Sequence, residues 1–80
     1  MRLEVRLYAS LAPFAPTHRA GEPFDVEVSE PTTLDTLLTR LGVPAGDVHL
    51  IIVNGRIVHD RSRLLAEHDR VGLFPPVGGG

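Results

Sequence analysis

The residues whose types and spacing could do chemistry sit in the final run, Pro75-Pro76-Val77-Gly78-Gly79-Gly80. Prolines cannot continue a β-ladder and favour an extended path away from a sheet. Glycines carry no Cβ, so the run would fit a narrow channel and let another protein approach its backbone closely. A terminal carboxylate has a reference pKa of about 3.3–3.7 and is ionised at neutral pH. A bare carboxylate acylates poorly and needs activation, as when ATP converts it to an acyl adenylate. The sequence holds no G-x-x-x-x-G-K-[ST] phosphate loop, so a partner would have to supply that step. Composition alone fits an inert glycine terminus just as well.

The other polar residues point to no reaction. The four histidines, His18, His49, His59 and His68, are scattered and match no paired metal spacing. Cys is 0, which excludes disulfides and cysteine–zinc sites. Asp60, Glu67 and Asp69 gather near His59 and His68, but such residues between strands read as a solvated loop. His49 reads as a half-buried structural histidine. Ser10, Ser29, Ser62 and Tyr8 lie in no G-x-S-x-G elbow. All 8 basic residues are Arg, so no side-chain amine can form a Schiff base or receive an isopeptide bond. The expectation is a protein that binds no metal or cofactor itself and is not an enzyme alone.

Size and charge narrow the class further. Eighty residues make one small domain, and at that size about 60% of the unfolded chain's surface is buried. The net charge of −2 argues against a nucleic-acid binder that works by neutralising phosphates. No apolar run approaches the roughly 18 residues needed to cross a bilayer. No signal-peptide pattern opens the chain, which together with the missing Cys fits a cytoplasmic protein.

These residues need a frame to position them. Leu3, Val5 and Leu7 alternate with Arg2, Glu4 and Arg6, the period of a half-buried strand. Pro13, Pro16 and Pro23 mark the next segment as a wide loop ending at Gly21. Phe24, Val26 and Val28 give a second strand. Leu34, Leu37, Leu38 and Leu41 share one helix face, with Thr32 or Thr33 as N-cap, Asp35 in the first turn and Gly42 as the stop. Val48 to Val53 is apolar on both faces and predicts a central strand. Asn54-Gly55 predicts a tight hairpin, with Arg56 to His59 returning. Leu64 and Leu65 should plug the core, and Arg70 to Phe74 should form the last strand.

That order, with one helix covering one face of about five strands, predicts an α+β fold of the β-grasp, or ubiquitin-like, kind. The domain should span 1–76, with 77–80 as a flexible tail. The expected core beyond the helix is Leu3, Val5, Val26, Val28, Leu50, Ile52, Ile57, Val71 and Leu73. Phe74 should lie on the opposite sheet face beside Ile51, Val53 or Val58, as a partner-binding patch.

The tail V-G-L-F-P-P-V-G-G-G, the hairpin L-I-I-V-N-G-R-I-V and the opening R-L-Y-A-S-L together resemble the ubiquitin-like sulfur-carrier family. That family includes the small subunit of molybdopterin synthase and the thiamine-biosynthesis sulfur carrier. The P-P-V-x-G-G ending is most similar to the former. The resemblance implies that Gly80 is adenylated by a partner similar to the ubiquitin-activating enzyme, using ATP and magnesium. Sulfur from a cysteine desulfurase or rhodanese then gives a thiocarboxylate. The acceptor would be a molybdopterin synthase large subunit or a thiazole synthase-like enzyme. Gly79 would neighbour the reactive residue, Gly78 and Val77 would line the partner's channel, and Pro75 and Pro76 would stiffen its mouth.

Two departures from the family pattern bear on this. The turn before the last strand, often an acidic residue, Gly and Asp in that family, reads Glu67-His68-Asp69 here. Pro13 and Pro16 oppose the regular helix that commonly follows the first strand of the molybdopterin subunit. Carriers of this fold also serve thiamine, cysteine, tungsten-cofactor and transfer-RNA thiolation routes. A ubiquitin-like modifier or a plain β-grasp binding module are the alternatives.

Overall fold

A computed structural model describes residues 1–76. The strands are β1 (Arg2–Leu7), β2 (Phe24–Glu27), β3 (Leu50–Val53), β4 (Arg56–Ile57) and β5 (Arg70–Phe74), with one α-helix, α1 (Leu34–Leu41). They form a five-stranded sheet in the order β2-β1-β5-β3-β4. β1 runs antiparallel to β2 and parallel to β5, while β3 is antiparallel to both β5 and β4. The strand that leads to the tail is therefore the middle one.

The period-two pattern of β1 does what it predicts. Leu3, Val5 and Leu7 are fully buried, beneath a helix that also buries Leu34, Leu37 and Leu38. Val28, Val71 and Leu73 join them, as expected, and Val26 and Leu41 are partly buried at the margin. Thr33 is the N-cap: its hydroxyl accepts the Thr36 N–H at 3.1 Å. Gly42 ends the helix in the left-handed region at φ 77°, which glycine alone adopts at no steric cost.

Several side chains differ from expectation. Leu50, Ile52 and Ile57 are not core; the inward residues of β3 are Ile51 and Val53, at 2% and 1% exposure, and Ile57 is 57% exposed. The reason is register. Ile51 and Val53 stand opposite Leu73 and Val71 of β5, which already face the helix, and paired residues of neighbouring strands share a face. Leu65 plugs the core, but Leu64 is 61% exposed. β4 is shorter than the expected return strand, although the Val58 N–H still donates to the Ile51 carbonyl at 2.9 Å.

The segment after β1 is neither a bare loop nor an α-helix. Ala9–Phe14 forms a 3-10 helix containing Pro13, and it buries Leu11 and Ala12. His68, in place of a glycine, takes φ 68°. The turn into β5 thus keeps a left-handed backbone despite the Cβ. His49 is exposed rather than half-buried.

Candidate functional site

The last strand has two faces with different work. Val71 and Leu73 anchor it in the core. Arg70, Gly72 and Phe74 point to the side away from α1, where Gly72 stands opposite Arg6 of β1 and Ile52 of β3, and Phe74 stands opposite Leu50. Tyr8, one residue past β1, continues that strand's outward parity. Its N–H donates to the Leu73 carbonyl at 3.1 Å. Its ring stacks on Phe74 with 4.2 Å between centroids and 6° between planes, a near-parallel pair slightly closer than the usual separation of about 4.5–7 Å.

Gly72 leaves a gap beside those rings. A Cβ there would meet Phe74 and Tyr8 ring carbons at 3.5 Å each, ordinary van der Waals contact. The outcome is an open depression of about 340 Å³, floored by Gly72, with Tyr8 and Phe74 at one end and Glu4, Arg6, Arg70 and Ile52 around it.

Both ends of β5 are held. At its start, the Asn54 amide donates to Asp69 Oδ1 at 2.9 Å, and Asn54 Oδ1 accepts the Arg70 N–H at 2.9 Å. Asp69 Oδ2 accepts the Ala66 N–H at 2.9 Å, which satisfies a carboxylate that is buried. Asn54 can do this because it occupies the left-handed region at φ 52°, followed by Gly55 at φ 82°, the paired positive φ values of a tight hairpin turn. At its end, the Phe74 carbonyl accepts the His49 N–H at 2.8 Å. Pro75 is buried and Pro76 exposed.

Phe74 lies on the outer face as expected, but Ile51 and Val53 do not flank it; they are inside the core. Val58 is partly buried against that same core. Tyr8, Ile52 and Leu50 take their places. Tyr8 could have been found by extending the β1 alternation one step. Val77, Gly78, Gly79 and Gly80 lie outside the described residues, as does the boundary of the expected tail.

The acidic residues near β5 are engaged locally. Asp69 serves Asn54 and Ala66, Asp60 accepts from Ser62, and Glu67 accepts the Arg2 N–H. Among the described residues no three His, Asp or Glu side chains gather to hold a metal ion. Nor is any helix among them long and apolar enough to cross a membrane.

No curated protein matches the chain in sequence. Solved structures do match. A chain in a protein–protein complex of subunits 1 and 2 of the molybdopterin-converting factor from Helicobacter pylori is 25% identical, with a TM-score of 0.63 and 100% of both chains covered. The small archaeal modifier protein 1 of Haloferax volcanii is 27% identical, with a TM-score of 0.70 over 95% of this chain and 98% of that one. A protein assigned as subunit 1 of a molybdopterin converting factor from Pyrococcus furiosus shares the fold, at 23% identity and a TM-score of 0.71, over 96% and 99% of the chains. The family model described as the ThiS family matches residues 5–80. That span takes in the central strand, its outer face and the glycine run, so the chain belongs to the ThiS family and with it to the ubiquitin-like sulfur carriers.

Proposed function

We propose that this chain carries sulfur as a thiocarboxylate on Gly80 and delivers it in molybdopterin biosynthesis. It acts as a protein cosubstrate in the cytoplasm, the small subunit of a synthase whose active site lies on the large one. An adenylating partner uses ATP and magnesium to convert the Gly80 carboxylate to an acyl adenylate. Sulfur from a cysteine desulfurase or rhodanese then replaces one oxygen as AMP leaves. The domain contributes rigidity: β5 is clamped at both ends, so Pro75 and Pro76 start the tail from a fixed point.

The observation that supports the pathway is the likeness, over 100% of both chains, to a chain in the complex of molybdopterin-converting factor subunits 1 and 2 from Helicobacter pylori. The test is coexpression with the activating enzyme, a sulfur donor and the large subunit. Intact mass should show one oxygen exchanged for sulfur, and the loaded chain should convert a pterin precursor. Loading without conversion would move the sulfur to thiamine, cysteine or transfer-RNA thiolation. Absence of loading in every pairing would end the carrier reading.

A second reading has its own support in the likeness to the archaeal modifier. As a modifier, Gly80 would be joined to lysines of other proteins. Conjugates in cell extracts that vanish when Gly80 is deleted would establish it. An inert binding module would instead keep its cellular activity without Gly79 and Gly80.

A further inference from the structure

We propose that Asn54-Gly55 is a latent deamidation site, guarded by the clamp at the start of β5. When the clamp opens, the Gly55 nitrogen attacks the Asn54 side-chain amide, and the product keeps the clamp from closing again. The inference goes beyond the carrier reading, because it needs only the folded domain and water.

The sequence isolates the residue. Asn54 is the chain's single Asn, and there is no Gln. It is thus the one side-chain amide, a group prone to chemical loss. Glycine follows it, and a missing Cβ leaves the next backbone nitrogen unshielded. Both residues are exposed, and a Cβ at Gly55 would find nothing within 4 Å. Among the described residues the Gly55 N–H donates to no backbone carbonyl. The nucleophile is therefore open and unengaged.

The reaction balances with water alone. The Gly55 nitrogen bonds to Asn54 Cγ and gives up its proton. The side-chain nitrogen leaves with that proton as ammonia, and a cyclic imide remains. Water then opens one of the two C–N bonds of the ring, which leaves aspartate or isoaspartate at position 54. Nothing is oxidised or reduced.

The clamp opposes the first step. Ring closure swings Cγ onto the Gly55 nitrogen, while the fold holds both ends of the amide against β5. Nδ2 donates to Asp69 Oδ1 and Oδ1 accepts the Arg70 N–H, each at 2.9 Å. A hydrogen bond to a carboxylate is of the stronger kind. The amide is released only when the start of β5 lets go.

The product cannot restore the clamp. Hydrolysis replaces the Nδ2 donor with an oxygen, and an ionised carboxylate only accepts. Buried Asp69 then loses a donor and gains a like charge where its partner stood, which disfavours the closed arrangement. Isoaspartate also adds a backbone carbon to a turn set by positive φ values of 52° and 82°. One opening is thereby fixed as a lasting loosening of the strand that leads to the tail.

The test ages the purified full chain in one mildly alkaline buffer, folded and in guanidinium chloride, and follows its intact mass. With no other side-chain amide present, every exchange of NH2 for OH reports residue 54. Peptide mapping separates aspartate from isoaspartate. The unfolded chain should react, and the folded chain at least about tenfold more slowly, as two ordinary hydrogen bonds imply. The ratio of the two rates should match, within about threefold, the open fraction that hydrogen exchange gives for the Arg70 amide. Asp69→Ser should bring the folded rate towards the unfolded one, and Arg40→Ala on α1 should leave it unchanged. Asn54→Asp, which reproduces one product, should lower the denaturant midpoint and quicken exchange at the Arg70 amide. Circular dichroism checks each fold. No reaction in the unfolded chain overturns the site. Equal rates in the two states, a rate ratio that Arg70 exchange does not track, or a folded Asp69→Ser chain that reacts no faster overturns the guard. An Asn54→Asp chain with wild-type stability and exchange overturns the lasting loosening. The carrier reading stands in each case, since the loading experiment decides it separately.

Discussion

The Tyr8 and Phe74 rings lie stacked, 4.2 Å between centroids and 6° from parallel. They join the end of the first strand to the end of the last across a sequence separation of most of the chain. Phe74 is the side chain two residues before the exposed Pro76, so this stack fixes the root of the tail. Tyr8→Ala should destabilise the domain by about 1–2 kcal/mol, the aromatic pair plus lost burial. Tyr8→Phe should stay within about 0.5 kcal/mol, as for surface changes that spare packing. Urea unfolding of the three proteins checks this.

Ile51 and Ile52 are neighbours with opposite duties. Ile51→Ala should cost about 2–5 kcal/mol, as for buried aliphatic truncations. Ile52→Ala, on the outer face, should cost under about 1 kcal/mol. Equal costs in denaturant titrations would contradict the strand register.

The clamp at the start of β5 is held by one side chain. Asn54→Ala removes the partner of Asp69 Oδ1 and of the Arg70 N–H. It also places a Cβ-bearing residue without a helpful side chain at φ 52°. The expected loss is about 1–3 kcal/mol. Asn54→Gly restores the backbone freedom but not the bonds, so it should recover part of that loss. Hydrogen exchange at the Arg70 amide should quicken in both.

Asp60 supplies a pH signature. Its carboxylate is held below the usual range, first by the Ser62 hydroxyl and then by the Ser62 backbone N–H. The folded value lies below the unfolded one, about 3.9. Its contribution is therefore present above the unfolded value and is lost as pH falls through the folded one. Ser62→Ala removes the larger cause. An NMR titration should then show the Asp60 midpoint rise towards the ordinary value, while the residual N–H bond keeps it from arriving there.

How much of this was legible in the residues depends on how each element encodes itself. The helix announced its face through Leu34, Leu37 and Leu38 and its ends through Thr33 and Gly42, because a single spacing fits and the caps are local chemistry. The strand Leu50–Val53 did not, because an L-I-I-V run is apolar at every position and its alternation carries no sign. Only pairing with β5, whose Gly72 betrays the outer face, decides which isoleucine goes in. Leu64 and Leu65 posed the same problem without any period at all. At the site, Phe74 was legible from its strand. The Asn54–Asp69 clamp was not, since it joins residues 15 apart in sequence through side-chain bonds that no local pattern reveals.

The position of β5 between β1 and β3 also has a mechanical consequence. A pull applied to the chain beyond Phe74 acts along the strand, and both ladders resist in shear, with many bonds loaded at once. An edge strand would peel open one bond at a time. The sheet can thus take a load along its central strand without peeling, and it serves as an anchor for traction.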